Sequence, residues 1–389
     1  MAKSIPALVT PEVLVWARNL DGITIQEIAL KLKVGVERVE EWESGVSHPT
    51  LVQAKEMAKQ YRVPFVYFYL PDAPRKIKRI EKTDYRTFGN NGALFEMSRE
   101  LKWLLRDIEE RRDTIMRLFE EDSHITKRIP FEIPSNATDE EIALKIRRFL
   151  ELDNGSQNTF RKAEVAYSHC ISVLEKYDIL VFQAAKVEPS EMRGLSVAYS
   201  EVPIIVTNRK DEPAARLFTL CHELVHIVTN TSGLCNDISN NVNSKFEIEL
   251  RCNRIAGLIL LPEDEVKSNK AIEQIQKYGF DDTYMRAIAR DFAVSKEVVL
   301  HRLWEIGIVD KSFYYETLKR YSNEYLEYKS KQKKGFLPPV IDTGTQVGRL
   351  YAQTVLNAYN TEKISARDTS NFLLNLKAKN FSKLERWCF

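Results

Sequence analysis

The sequence predicts an α+β protein that is mostly α. It has an all-α N-terminal region, a centre built on a small antiparallel sheet and buried helices, and a helical C-terminal region. Three observations carry this. Apolar positions recur at helical spacing through most of the 389 residues. Only three short runs, 178–183, 194–199 and 202–207, have the alternation and β-branched content of strands. Proline-rich or basic breaks at 71–79, 129–138 and 329–339 divide the chain.

Composition narrows the function classes. Hydrophobic residues make up 44%, enough for a sizeable core, and charged residues 29% with a net charge of +2. Whole-chain charge therefore selects no partner, and any nucleic-acid contact must come from a local patch. The first twenty residues lack a basic stretch followed by an apolar run, so no secretory signal is expected. No run of about 18 apolar residues exists, so no membrane partner is expected either. Cys170, Cys221, Cys235, Cys252 and Cys388 are scattered and form no C-x-x-C pair. That usage suits a reducing compartment, and cytoplasm is the expected location.

The elements follow in order. Residues 1–74 form a helical N-terminal domain. Within it Thr24 caps a helix, Lys33-Val34-Gly35 turns the chain, and a third helix runs from Val36 to Glu43. Pro71, Pro74 and the basic run Arg75, Lys76, Lys78, Arg79 close it. Residues 75–159 form a helical connector. It has a long charged helix over 95–120 and a second helix over 139–151, which starts at the capping box Thr138–Glu141. The central domain, 160–310, opens with a helix over 160–176 and the strand 178–183. A hairpin then joins 194–199 to 202–207 through Ser200 and Glu201. Pro213 suits the first turn of a buried helix, where a missing N–H costs little. Asn230 to Gly233 supplies its stop. Ser244 and Glu247 read as a capping box that opens a further helix running to Pro262. Residues 311–389 are helical, interrupted by the basic, proline-ended linker 329–339.

The chemistry concentrates in His222-Glu223-Leu224-Val225-His226. Residues i and i+4 share one helix face, so two imidazoles can hold one Zn²⁺ with the intervening glutamate beside them. A third protein ligand is then needed. Glu249 is the candidate, because Ala256 and Gly257 on its helix let it approach the first helix closely. Glu247 is the competitor, unless it is occupied as a cap. Asn253 is the candidate for a donor that orients a ligand. Glu223 is the candidate general base for peptide hydrolysis. The hairpin offers a strand edge on which an extended substrate can pair. Cys221 and Cys252 flank the motifs as small core fillers.

The pair HELVH and ELRCNRIAGLILLP resembles the ImmA/IrrE family of zinc metallopeptidases, whose second motif is similar to E-x-x-A-N-x-F-A-A-x-L-L-M-P. Glu249, Asn253, Ala256, Leu260 and Pro262 match it. Cys252, Ile255 and Gly257 depart from it with small or apolar replacements that leave the ligand assignment intact. The resemblance covers roughly residues 160–310, including the helical stretch from Ala289 to Leu303. It implies a zincin-like fold and a zinc endopeptidase with His222, His226 and Glu249 as ligands and Glu223 as base. It further implies limited cleavage of a repressor- or antitoxin-like regulator in a stress-response or mobile-element setting. Tyr199, Tyr284 and Arg286 are the candidates for stabilising the oxyanion.

Residues 11–50 resemble the Cro/repressor (XRE) type of helix-turn-helix, which implies double-stranded DNA as a partner. Thr24, Gln26, Val36, Glu37 and Arg38 would face it. The third helix carries Glu37, Glu40, Glu41 and Glu43 against one arginine, a poor electrostatic match to phosphate. Two alternatives therefore stand beside the enzyme. One is a DNA-binding regulator or antitoxin whose peptidase fold acts as sensor or scaffold. The other is an N-terminal module used for protein docking or for a homodimer.

Overall fold

The computed structural model describes residues 5–74, 97–152, 157–231, 242–331, 335 and 337–388. The basic run at 75–79, Gly233, Cys235 and part of the linker 329–339 lie outside them. The chain divides into two compact units, residues 1–80 with 92–107 and residues 81–91 with 108–389.

The first unit is all α. It holds α1 (Pro11–Asn19), α2 (Ile25–Leu32), α3 (Val36–Glu43), α4 (Leu51–Gln60) and a 3₁₀ turn at Phe65–Tyr69. Thr24 caps α2 with a full capping box through Glu27. The turn into α3 is made by Lys33, with φ 56°, and not by Gly35, which has φ −68° as the N-cap of α3. Val13, Leu14, Ile28, Val39, Trp42 and Phe68 form its core. Arg18 grips both Glu43 carboxylate oxygens at 2.7 and 2.9 Å and so ties α1 to α3. The long helix α5 (Arg99–Glu121) begins in this unit. There its Trp103 and Arg106 both donate to the buried Asp21 carboxylate.

The second unit continues with α6 (Asp139–Phe149), α7 (Gln157–Phe160) and α8 (Ala163–Glu175). Thr138 and Glu141 form the expected capping box on α6. The strands are β1 (Leu180–Ala184), β2 (Gly194–Val197) and β3 (Ile204–Asn208), in the order β1-β3-β2. β2 and β3 pair antiparallel, as the hairpin predicted, with Gly194 opposite Thr207. β1 joins β3 in parallel, with Leu180 opposite Ile204, so the sheet is mixed and not purely antiparallel. The reason is the connection. The chain crosses from β1 to the far edge as β2 before it returns between them as β3, and β3 then runs in the direction of β1. The β2–β3 turn is longer than two residues, and Val202 has φ 52°, unusual for a β-branched residue. Arg112 of α5 holds it by donating to the carbonyls of Glu201 and Val202.

α9 (Pro213–Val228) and α10 (Val242–Leu260) pack together and against β2 and α6. The helices α11 (Glu263–Lys267), α12 (Lys270–Tyr278), α13 (Asp282–Asp291), α14 (Lys296–Glu305) and α15 (Lys311–Lys331) follow. One apolar cluster runs from Ile142 to Tyr321 through these layers. The tail is α16 (Pro339–Val347), α17 (Arg349–Asn360), α18 (Ala366–Phe372) and α19 (Phe381–Cys388). It packs on the outer side of β1, where Phe182 meets Tyr351 edge-on. Among the described residues no helix is long and apolar enough to cross a membrane.

Candidate metal centre

α9 places Pro213 at its first turn, as its sequence suggested, and is buried from Thr219 to Ile227. His222, Glu223 and His226 are 0%, 2% and 5% exposed, so each polar atom needs a partner. α10 supplies it. The two Nε2 atoms are 3.1 Å apart. His222 Nε2 lies 3.2 Å from Glu249 Oε2, and His226 Nε2 lies 3.2 Å from Glu249 Oε1. Two imidazole nitrogens and a carboxylate thus converge, each nitrogen facing a different oxygen of Glu249. Ligands at about 2.0–2.1 Å from a tetrahedral ion stand about 3.3 Å apart, so the donor set and its spacing fit Zn²⁺. Among the described residues this is the group of three such side chains able to hold a metal.

The electrostatics agree with a cation at this point. Burial opposes charge on His226, yet Cys252, Glu249 and the charge of Glu223 hold its imidazolium up, to about 11. Burial opposes charge on Glu249 as well, but its bonds to the two histidines hold it well below the usual carboxylate range.

Glu223, on the same turn of α9, reaches strand β2. Ser196 Oγ on β2 donates to its Oε2 at 2.8 Å. Gly194, two residues earlier on the same strand face, leaves room for Oε1. A Cβ at this position would stand 2.7 Å from that oxygen and 2.3 Å from Thr219 Cγ2. Strand β2 therefore forms a cradle for this carboxylate.

Other sequence-derived candidates are placed as follows. Glu247 is exposed and away from the competition for the histidines. The helix begins at Val242, so Ser244 lies inside it and not at its N-cap. Asn253 makes no hydrogen bond to the triad among the described residues, and its Oδ1 is buried without a partner. Its expected orienting task falls to Thr231 Oγ1 and Cys252 Sγ, at 3.2 and 3.7 Å from His226 Nδ1. Tyr199 spends its hydroxyl on the Glu109 carboxylate beneath the Arg112 guanidinium. Arg286 is exposed and faces Asp282, and Tyr284 packs on the core of its unit. The structure brings none of these three to the His222–His226–Glu249 cluster.

Sequence reasoning missed Gly194, Ser196 and Thr231, and also the device that seats α10. The last carbonyls of a helix lack intrahelical donors. Here Arg147 donates to Ile259 O, Gln157 to Leu260 O and Arg302 to Leu261 O, at 2.5, 2.9 and 3.0 Å. The single signal in the sequence is a buried helix end before Pro262, which requires such donors without naming them.

In the first unit, Thr24 is spent on its cap, Gln26 is exposed beside it, and Val36 packs on the core. Glu37 is exposed, and Arg38 is paired with Glu41 at 2.8 Å.

Residues 174–304 match the model of the IrrE N-terminal-like domain, peptidase M78. Residues 14–68 match a helix-turn-helix model. No curated protein matches the chain. A solved Mycobacterium tuberculosis transcriptional regulator is 15% identical with a TM-score of 0.29, over 51% of this chain and 51% of that one. The His222–His226–Glu249 cluster and the buried Glu223 lie inside the first match and α2 and α3 inside the second, and the two matched regions together correspond to the architecture of an ImmA/IrrE-type peptidase domain joined to an XRE-type helix-turn-helix domain.

Proposed function

We propose that this chain is a zinc-dependent endopeptidase that performs limited proteolysis of a repressor- or antitoxin-like regulator. His222, His226 and Glu249 hold the metal and Glu223 is the base. The observation that carries this is the convergence of the two histidine Nε2 atoms and the Glu249 carboxylate, at contacts of 3.1–3.2 Å, beside a buried glutamate. When bound, Zn²⁺ supplies Lewis acidity at the scissile carbonyl and acidifies the attacking water. Glu223 takes the proton of that water and delivers it to the leaving amine. Ser196 fixes Oε2, so Oε1 is the oxygen that moves the proton. β2 is an edge strand, which supports main-chain pairing with an extended substrate segment. The helix-turn-helix unit would bring the enzyme to double-stranded DNA, alone or as a homodimer, in the cytoplasm of a stressed or element-bearing cell.

The test is metal content by mass spectrometry on wild type, His222→Ala, Glu223→Gln and Glu249→Ala. The expected result is near one zinc per chain in wild type and Glu223→Gln, and loss in the other two. Cleavage of a co-incubated repressor-like protein should then be abolished by Glu223→Gln. A wild type that takes up no zinc on reconstitution would sink the enzyme and leave a DNA-binding regulator with a peptidase-like scaffold.

A further inference from the structure

The end of α9 carries a pair of hydroxyls with no part in the proposed hydrolysis. The helix closes in a Schellman turn. Asn230 has φ 53°, and the Thr231 N–H returns to His226 O at 3.0 Å while the Asn230 N–H reaches Ile227 O at 3.2 Å. Asparagine is among the few residues that tolerate this left-handed position. The turn folds Thr231 back over the ring of His226, where its Oγ1 lies 3.2 Å from Nδ1. Thr231 Oγ1 is also 2.8 Å from Thr229 Oγ1, and Thr229 Oγ1 donates to Val225 O at 2.7 Å.

The direction of this chain is determined by its far end. A backbone carbonyl has no hydrogen to give, and a hydroxyl has one. Thr229 gives its hydrogen to Val225 O and must accept from Thr231. Thr231 has then given its hydrogen away and meets the imidazole with a lone pair. The hydrogen between them therefore belongs to His226 Nδ1. With Nδ1 protonated, a neutral ring carries its lone pair on Nε2, the atom aimed at His222 Nε2 and Glu249. Cys252 Sγ, 3.7 Å from the same Nδ1, adds a weak second acceptor.

We propose that Thr229 and Thr231 are positioning residues that fix His226 as its Nδ1–H tautomer and so present Nε2 to the metal. The proposal rests on the ligand set given above. The ring's orientation is thereby set chiefly by the C-terminal turn of the helix that carries it.

The test uses the full chain and the metal alone. Co²⁺ and Zn²⁺ affinities are measured by chelator competition on wild type, Thr231→Val, Thr231→Ser, Thr229→Val and His226→Ala. Long-range ¹H–¹⁵N spectra of the zinc-loaded protein report the tautomer. Thr231→Val should weaken metal binding by about tenfold to a hundredfold, the range typical for losing a partner of a ligating histidine. Thr231→Ser should restore it, and Thr229→Val should fall between. The His226 Nδ1–H signal should be slow to exchange in wild type and lost in Thr231→Val. Wild-type affinity in Thr231→Val would overturn the proposal while leaving the ligand set standing. Equal weakness in Thr231→Ser and Thr231→Val would also overturn it, by assigning Thr231 a packing role. Failure of wild type itself to bind Co²⁺, matching His226→Ala, would overturn the ligand set and this proposal together.

Discussion

Gly194 is the position where one methyl group would collide with the proposed base. The obstacle is space and not backbone conformation, since the added carbon would sit 2.3 Å from Thr219 Cγ2. Gly194→Ala should cost about 1–3 kcal/mol of stability in urea unfolding, the usual range for overpacking. Ser196→Ala removes only the hydrogen bond to Glu223. It should leave zinc content unchanged and slow cleavage by about tenfold, less than complete loss of a general base. An unchanged cleavage rate would reduce Ser196 to a structural hydroxyl. His222, Glu223 and His226 could be read from the sequence because their relation is local, one helical turn. Gly194, Ser196 and Thr231 could not, because their meaning depends on where a strand and a helix end fall against that turn.

At the scale of elements, the seating of α10 decides whether Glu249 meets the histidines. Arg147 is buried. Besides Ile259 O it donates to Gln157, to Leu152 O and to Glu265 at 2.7 Å. Arg147→Met would leave these acceptors without their donor. It should cost about 3 kcal/mol in chemical denaturation and lower metal affinity through α10. A second junction ties α8 to α17. Glu175 Oε1 accepts from the Leu350 N–H at 3.1 Å, at the start of α17. Burial pushes its carboxyl up from 4.5 to about 7, against the pull of that N–H and of Arg349. The folded chain thus keeps this proton where the unfolded chain has lost it. Stability from this site is highest below about pH 4.5, falls as pH rises to about 7, and is flat above. Glu175→Gln should remove that fall, gaining up to about 3 kcal/mol on wild type between pH 4 and pH 8 in urea midpoints. A parallel pH profile in the two proteins would refute the assignment. Capping boxes at Thr24 and Thr138 were legible because the pattern is local, whereas the Ser244–Glu247 pair misled. The helix starts at Val242, so the same spacing lies within its first turns.

For the whole molecule, the charge argument about the third helix changes in detail once the fold is known. Glu43 is consumed by Arg18 and Glu41 by Arg38. What remains exposed on α3 is Glu37 and Glu40, without a cationic partner among the described residues. The helix offers no unpaired cation to phosphate. DNA affinity of the full chain should therefore fall only weakly with salt, and Glu37→Lys with Glu40→Lys should raise it by about tenfold at low salt. Fluorescence anisotropy across a salt series reads both. A steep wild-type slope would place the phosphate contacts on other basic residues.

The sequence by itself determined the mostly helical α+β class, the hairpin, the helix-turn-helix and the pentad on a buried helix. Each is encoded by residues within one or two turns of each other, where spacing alone sets which face a side chain takes. The tertiary structure decided the parallel pairing of β1 with β3, the choice of Glu249 over Glu247 and the cradle of Gly194 and Ser196. It also decided the donors that cap α10. These depend on which surfaces meet across long stretches of chain, and burial there selects the one packing that leaves the fewest polar atoms unpaired.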